Sequence, residues 1–369
     1  MPIYMDRHDA SETVTAENIA QMHQEDLKIQ DQFGCRGLTY WFDDKRKTAF
    51  CLIEAPDANA IRQMHKKAHG QVPHKVIAVD AGIVESFLGR IEDPEKALDT
   101  TLNIINDPAF RTIMVIDLKQ LSPKHYTSAQ FISSLNNFNN DINDIISSYE
   151  EKPVKQTQNY RLVSFRSVSV AVHTALDIQS KFQRLKNEIK EKEIFLKIAL
   201  SSGVPVTEKK SIFEDTIKFA ERLCEIIHAE IIVSSEVKDL YKSENSNRFV
   251  KDDNVFSLTR EDEKFLNLLM DFVEINWTNP DLKVDDFSKP VGCSKSQLYR
   301  KLVTLTGKSP NIFLNEYRLS LAMQLLNKNA GNISEIAFET GFTSPSYFSK
   351  CFHKKYGYLP SDYLHPEVD

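Results

Sequence analysis

Residues 293–310 read CSKSQLYRKLVTLTGKSP and residues 343–360 read TSPSYFSKCFHKKYGYLP, two stretches that align without a gap about 50 residues apart. Ser294 falls on Ser344, Leu298 on Phe348, Arg300 on Lys350, Leu302 on Phe352, Gly307 on Gly357 and Pro310 on Pro360. Each copy has a serine N-cap, an apolar stripe at helical spacing, a terminating glycine and a proline beyond it. Ser294 and Gln297 have the spacing of a capping box, and Pro345 occupies a first helical position. A short helix ending in glycine precedes each copy, VDDFSKPVG to Gly292 and ISEIAFETG to Gly341. Helix, glycine turn, helix is the helix-turn-helix plan, present twice.

Working outward, residues 309–327 form one uninterrupted helical pattern, about 28 Å long at 1.5 Å per residue. Two units on such a strut can enter successive major grooves, which lie about 34 Å apart on one face of a duplex. Charge supports that reading. From Lys289 to Tyr363 there are ten Lys or Arg against four acids, although the whole chain carries a formal charge of −6.

The segments SKSQLYRKL, LTGKSPNIFL, YRLSLAMQLL, ISEIAFETGF and SPSYFSKCFHKKYGYLPSDY resemble, in this order, the DNA-binding domain of the AraC/XylS family of bacterial transcription regulators. The resemblance implies that Ser296, Tyr299 and Arg300 of the first recognition helix, and Ser346, Ser349 and Lys350 of the second, point into grooves of double-stranded promoter DNA. Arg and Lys can read guanine edges or bind phosphate. Lys295, Lys301, Lys354 and Lys355 are expected on phosphates, where affinity falls steeply with salt.

The 369 residues are 41% hydrophobic and 27% charged, enough for two or three domains and unlike a disordered or low-complexity chain. No run approaches the ~18 apolar residues of a membrane span, and MPIYMDRHD lacks the apolar core of a signal peptide, so a cytoplasmic protein without a membrane partner is expected. Five scattered cysteines without a CxxC pair point to reduced thiols.

The first ninety or so residues alternate as strand, helix, strand, strand, helix, strand, the order of a ferredoxin-like sandwich. Five of the ten histidines, His8, His23, His65, His69 and His74, lie in this part. His65 and His69 are four apart on a helix and can share a cation, although such pairs also occur on solvated helix faces. YMDRHD, MHQEDLKIQDQFG, YWFDDKRKTAFCLIEAPDANAI and MHKKAHG resemble a small bacterial ferredoxin-like domain that binds nickel. That resemblance implies metal ligands among the five histidines, with Asp6, Asp26, Cys51 and Glu54 nearby. Imidazole-rich sites suit Ni(II), Cu(II) and Zn(II) alike, so a divalent transition metal is the expected cofactor. Within the apolar run AFCLI, Cys51 also reads as a small buried hydrophobe.

A second α/β alternation runs from Arg111 to Tyr241. Its segments RTIMVIDL, VKQTQNYRLVSF, SVSVAVHTALDIQ, IFEDTIKFAERLC and AEIIVSSEVKDL resemble the catalytic domain of class III adenylate/guanylate cyclases. That chemistry needs two aspartates to hold two metal ions over a triphosphate. Asp117 matches the first, but Asn159 stands in the hairpin of the second, and Lys218 replaces the ribose-orienting asparagine. Arg222 matches the transition-state arginine and Lys155 a base-selecting lysine. The resemblance therefore implies a pseudo-cyclase, not an enzyme, with a relic nucleotide cleft and a homodimer through this region.

The expected architecture is multidomain α+β, with two ferredoxin-like α/β sandwich domains over 1–92 and 108–245 and an all-α double helix-turn-helix domain over 262–365. The expected function is transcription regulation, with RNA polymerase a possible partner. An active cyclase tethered to DNA, or a metal store with an autoregulatory tail, are the alternatives.

Overall fold

A computed structural model describes residues 1–95, 102–120, 129–189, 194–246, 248–250 and 255–364. Parts of the expected connectors at 92–108 and 243–254, the expected helix start at Ser128 and the expected domain end at 365 lie outside the described residues.

The first sheet comprises β1 (Ile3–Asp9), β2 (Arg36–Asp43), β3 (Thr48–Glu54) and β4 (Lys75–Val79), ordered β2-β3-β1-β4 and antiparallel throughout. Helices α1 (Ala16–Ile29) and α2 (Ala58–Ala68) complete the expected order of elements. Successive strand residues point to opposite faces. Tyr40, Phe42, Cys51 and Ile53 pack with Ile19 of α1 and with Ile61 and Met64 of α2. On the other face Met5, Trp41, Phe50 and Leu52 join a different core. Both faces are covered, which is why β2 and β3 read as apolar runs without polar alternation.

The cover on that second face begins with α3 (Ala81–Leu88), a helix absent from the expected scheme. Its Val84, Phe87 and Leu88 join the core, and the carbonyls of Phe87 and Leu88 accept from the buried Arg111 guanidinium at 3.1 and 3.3 Å.

The middle sheet contains β5 (Arg111–Gln120), β6 (Pro153–Gln156), β7 (Tyr160–Phe165), β8 (Ile194–Gly203), β9 (Ile231–Val233) and β10 (Val255–Ser257), in the order β10-β9-β8-β5-β7-β6. Its helices are α4 (Ala129–Ser148), α5 (Val168–Ile189), α6 (Glu214–Ile226) and α7 (Ser235–Glu244). Alternation again divides the faces: Met114, Ile116 and Leu118 meet α4 and α5, whereas Ile113 and Val115 meet α6. Since β10 pairs in parallel with β9, this sheet runs past the boundary expected at 245.

The remainder is helical: α8 (Arg260–Asn276), α9 (Val284–Val291), α10 (Lys295–Thr306), α11 (Pro310–Asn327), α12 (Ile333–Glu339), α13 (Pro345–Tyr356) and α14 (Pro360–Leu364). The capping box of α10 is present, with Ser294 Oγ accepting from the Gln297 amide at 3.3 Å and Gln297 Oε1 accepting from the Ser294 amide at 2.9 Å. Gly341, at φ +77, turns the chain between α12 and α13. A Cβ there would sit 2.7 Å from the Trp277 carbonyl oxygen, so both conformation and space require glycine.

The two helix-turn-helix units are buried differently. Leu298, Leu302, Leu305, Phe313 and Leu314 of the first belong to the core that runs through α8 and α6 to the first sheet. Leu319, Leu326, Ile336, Phe348 and Phe352 of the second form a separate core.

Candidate metal centre and nucleic-acid interface

The alternation that sends Met5 to one face of the first sheet sends Asp6 and His8 to the other, beneath α1 and α2. Cys51, between Phe50 and Leu52, joins them there. Along α1, Ile19, His23 and Asp26 follow a single helical stripe, as do Ile61 and His65 on α2, with His69 at the C-cap just beyond it. Two groups of donor atoms result, each within 4.8 Å: Asp6, His8, Cys51 and His65, and Asp26, His65 and His69.

His65 is common to both and 1% exposed. Its Nε2 lies 2.8 Å from Asp6 Oδ2, and its Nδ1 lies 3.1 Å from Asp26 Oδ1 and 3.2 Å from His69 Nε2. Burial pushes the imidazole pKa down, but the charge of Asp6 and the hydrogen bonds to both carboxylates overcome it and lift the value to about 10. Burial likewise pushes the Asp6 carboxyl up, and the two histidines His8 and His65 more than reverse it, holding it well below the usual carboxylate range. Asp26 is lowered in the same way by His65 and His69. The two carboxylates thus favour the protonated form of His65. Burial, with Asp6 beside it, pushes the Cys51 thiol well above its ordinary value.

All five expected histidines line one cavity of about 340 Å³. They are not equivalent. His23 Nε2 lies 3.2 Å from Asp93 Oδ2 and its ring packs on Tyr40. His74 is exposed and accepts from the Asp9 amide at 3.1 Å. Glu54 pairs instead with Arg36 at 2.9 Å. Thus His8, His65 and His69 converge with Asp6, Asp26 and Cys51, while His23 and His74 stand aside with partners of their own.

Apart from Asn159, the residues expected to form a relic nucleotide cleft have side-chain partners within the chain. Asp117 faces Lys119 at 3.5 Å, and burial raises its carboxyl pKa despite that lysine. Lys155 is exposed beside the Tyr160 ring, and Tyr160 itself donates to Glu221 of α6 at 2.8 Å. Asn159 Oδ1 is buried without a hydrogen-bond partner. Lys218 meets Glu274 at 2.7 Å, and Arg222 donates to Glu274 at 2.8 Å, Asp271 at 2.6 Å and Asn267 at 3.0 Å, all on α8. The arginine expected at a transition state is an interdomain clamp.

On α10, Lys295, Ser296, Tyr299 and Arg300 are exposed; on α13, Ser346 and Lys350 are exposed and Ser349 is half-buried. Lys295 is paired with Asp285. Two expected phosphate contacts face inward. Lys301 meets Asp262 of α8 at 3.4 Å over the Phe265 ring, and Lys355 donates to the Glu316 carbonyl at 2.8 Å. Lys354 remains exposed.

Residues 287–365 match a family model described as a helix-turn-helix domain, and residues 4–79 match that of the nickel responsive protein SCO4226-like. The two matches lie at opposite ends of the described fold, on the helical region and on the first sheet with its two helices. Over 102 residues it is 44% identical to histidine kinase P4 of Formosa agariphila, covering 28% of this chain and 7% of the kinase. Over 103 residues it is 34% identical to the transcriptional activator RhaS of Shigella boydii, covering 26% of this chain and 34% of the activator. Among solved structures, SCO4226 from Streptomyces coelicolor is 28% identical, covering 21% of this chain and 94% of that one with a TM-score of 0.20. The chain spans about a third or less of the length of these curated relatives.

One exposed residue of the helix-turn-helix region was missed in the sequence. Tyr347 lies between Ser346 and Phe348 on α13, is 48% exposed, and receives a hydrogen bond from Asn315 at 3.1 Å. Its alignment with Gln297 in the repeat was the available signal.

Proposed function

We propose that the chain is a sequence-specific transcription regulator that binds double-stranded operator DNA through α10 and α13 and responds to a divalent transition metal in its first domain. The observation that carries the DNA reading is the pair of capped helix-turn-helix units on one strut, with Arg300 and Lys350 at equivalent exposed positions.

The first-domain residues fit a metal. His8 Nε2 is buried 3.4 Å from Asp6 Oδ1 yet makes no aligned hydrogen bond, and the surrounding imidazole, carboxylate and thiol donors suit nickel, copper or zinc. Asp6, His8, Asp26, Cys51, His65 and His69 would hold it, and the ion would supply a charge linking β1, β3, α1 and α2. The opposite face of the same sheet packs into the core shared with α6, α8 and the first helix-turn-helix unit, which gives a physical route to the DNA-binding end. Typical coupling free energies are about 1–3 kcal/mol. A homodimer through the middle domain and contact with RNA polymerase belong to the same reading. Cyclase chemistry does not, since Lys218 and Arg222 are committed to α8.

The test is fluorescence anisotropy on the chain's own promoter DNA at fixed salt, comparing metal-stripped protein with protein given Ni(II), Zn(II) or Cu(II). A change of about tenfold, or 1.4 kcal/mol, that vanishes in a His65→Ala, His69→Ala double variant is expected. Binding indifferent to all three metals would remove the metal limb and leave the DNA limb standing.

A further inference from the structure

The metal ligands make up only part of the lining of their cavity. Asp6 and His65 are fully buried, whereas the lining also takes in the apolar Val14, Ile19, Met22 and Val72, with Asp9, Ser11 and Gln71 as further polar groups. Sites that hold a metal for structure alone are closed by their protein ligands, and an open position is where an exogenous ligand enters. Here the open side is not a single position. At roughly 30 Å³ per water in the liquid, 340 Å³ is room for about eleven waters. It lies instead at the lower end of the ~300–1,000 Å³ typical of small-molecule pockets, which combine apolar walls with a few convergent polar groups. Val14, Met22 and Val72 carry no donor atom that could hold a bare ion.

We propose that this cavity takes its metal as a complex with a small organic chelator, the protein's imidazoles and carboxylates completing the coordination and the apolar wall covering the organic part. The inference rests on the metal reading above and adds the chemical class of what enters: a low-molecular-weight chelate of a divalent transition metal. Val14 and Met22 also pack on the first-domain core, but Val72, 43% exposed at the cavity, is given a purpose that packing does not supply.

The experiment is native mass spectrometry of the full chain, metal-stripped and then given NiCl₂ alone or NiCl₂ with equimolar L-histidine, a tridentate chelator that leaves coordination positions open. The expected species is a complex of one protein, one nickel and one histidine. Two lining variants, Met22→Trp and Val72→Trp, should fill part of the cavity beside the ligands. Each should retain nickel given alone while weakening capture of the nickel–histidine complex about tenfold or more. Because Val72 lies exposed at the cavity, Val72→Trp keeps the test valid even if Met22→Trp fails to fold. The proposal is overturned if wild type carries only bare nickel when histidine is present, if histidine strips the nickel, or if both lining variants capture the complex as wild type does. Absence of nickel under both conditions would overturn the metal reading itself, a result distinguishable from the others because no adduct of any kind would appear.

Discussion

His65 is held by two buried carboxylates on opposite sides, and its removal takes away the partner that Asp6 and Asp26 share, leaving Asp6 only His8 and Asp26 only His69. Breaking a buried pair from one side costs about 3–5 kcal/mol, whereas removing all the charged partners costs much less. His65→Ala is therefore expected to lower the unfolding free energy of metal-stripped protein by an amount in that range, and adding Asp6→Asn and Asp26→Asn should recover most of the loss. Equal instability of the single and triple variants in urea titrations would show that His65 acts by packing alone. The sequence made part of this visible. Histidines four apart on α2 and the pair Asp6–His8 on one strand could be placed on common faces from periodicity. Which of the five histidines would meet could not, because His23 reaches Asp93 and His74 reaches Asp9 through contacts that no local pattern encodes.

At the scale of the element, α10 and α13 were legible in detail because caps, terminating glycines and apolar stripes are all local. The destination of their basic side chains was not. Lys301 and Lys355 point at α8 and α11, and only tertiary docking decides that; the same holds for α3 and β10, short segments that acquire structure from the sheets they cover or extend. This division makes a prediction about salt. Arg300→Ala and Lys350→Ala should each cost about 1–3 kcal/mol of specific operator affinity if they contact bases. Lys354→Ala should weaken binding to all sequences and reduce the slope of log affinity against log salt by about one. Lys301→Ala and Lys355→Ala should leave that slope unchanged. Anisotropy titrations between 50 and 200 mM salt, on specific and unrelated duplexes, separate the three classes. A slope lowered by Lys355→Ala would return that lysine to the DNA face.

For the whole molecule, the shared core and the Arg222 clamp join the middle domain to the first helix-turn-helix unit, while the second keeps its own core. Arg222→Ala strands Glu274 and Asp271 on α8 and is expected to split one calorimetric transition into two, the first unit melting apart from the middle domain. Lys355 reports on the other junction, where it lines a cavity with Lys119, Glu225, Lys308 and Glu316. Burial, aided by the charges of Lys308 and Lys119 and opposed by Glu316 and Glu225, pushes its pKa down to about 8 from 10.5. Between those values the unfolded chain binds more protons at this site than the folded one, so stability rises with pH across the window. The penalty is present in full below about pH 8 and is relieved toward pH 10.5. Lys355→Met should consequently be more stable than wild type at pH 7, by something of the order of 1 kcal/mol, and the gap should close as the pH approaches 10.5. Chemical denaturation of both proteins from pH 7 to 10.5 checks it, and a gap that widened with pH would mean that the ammonium is held charged at the junction by its acidic neighbours.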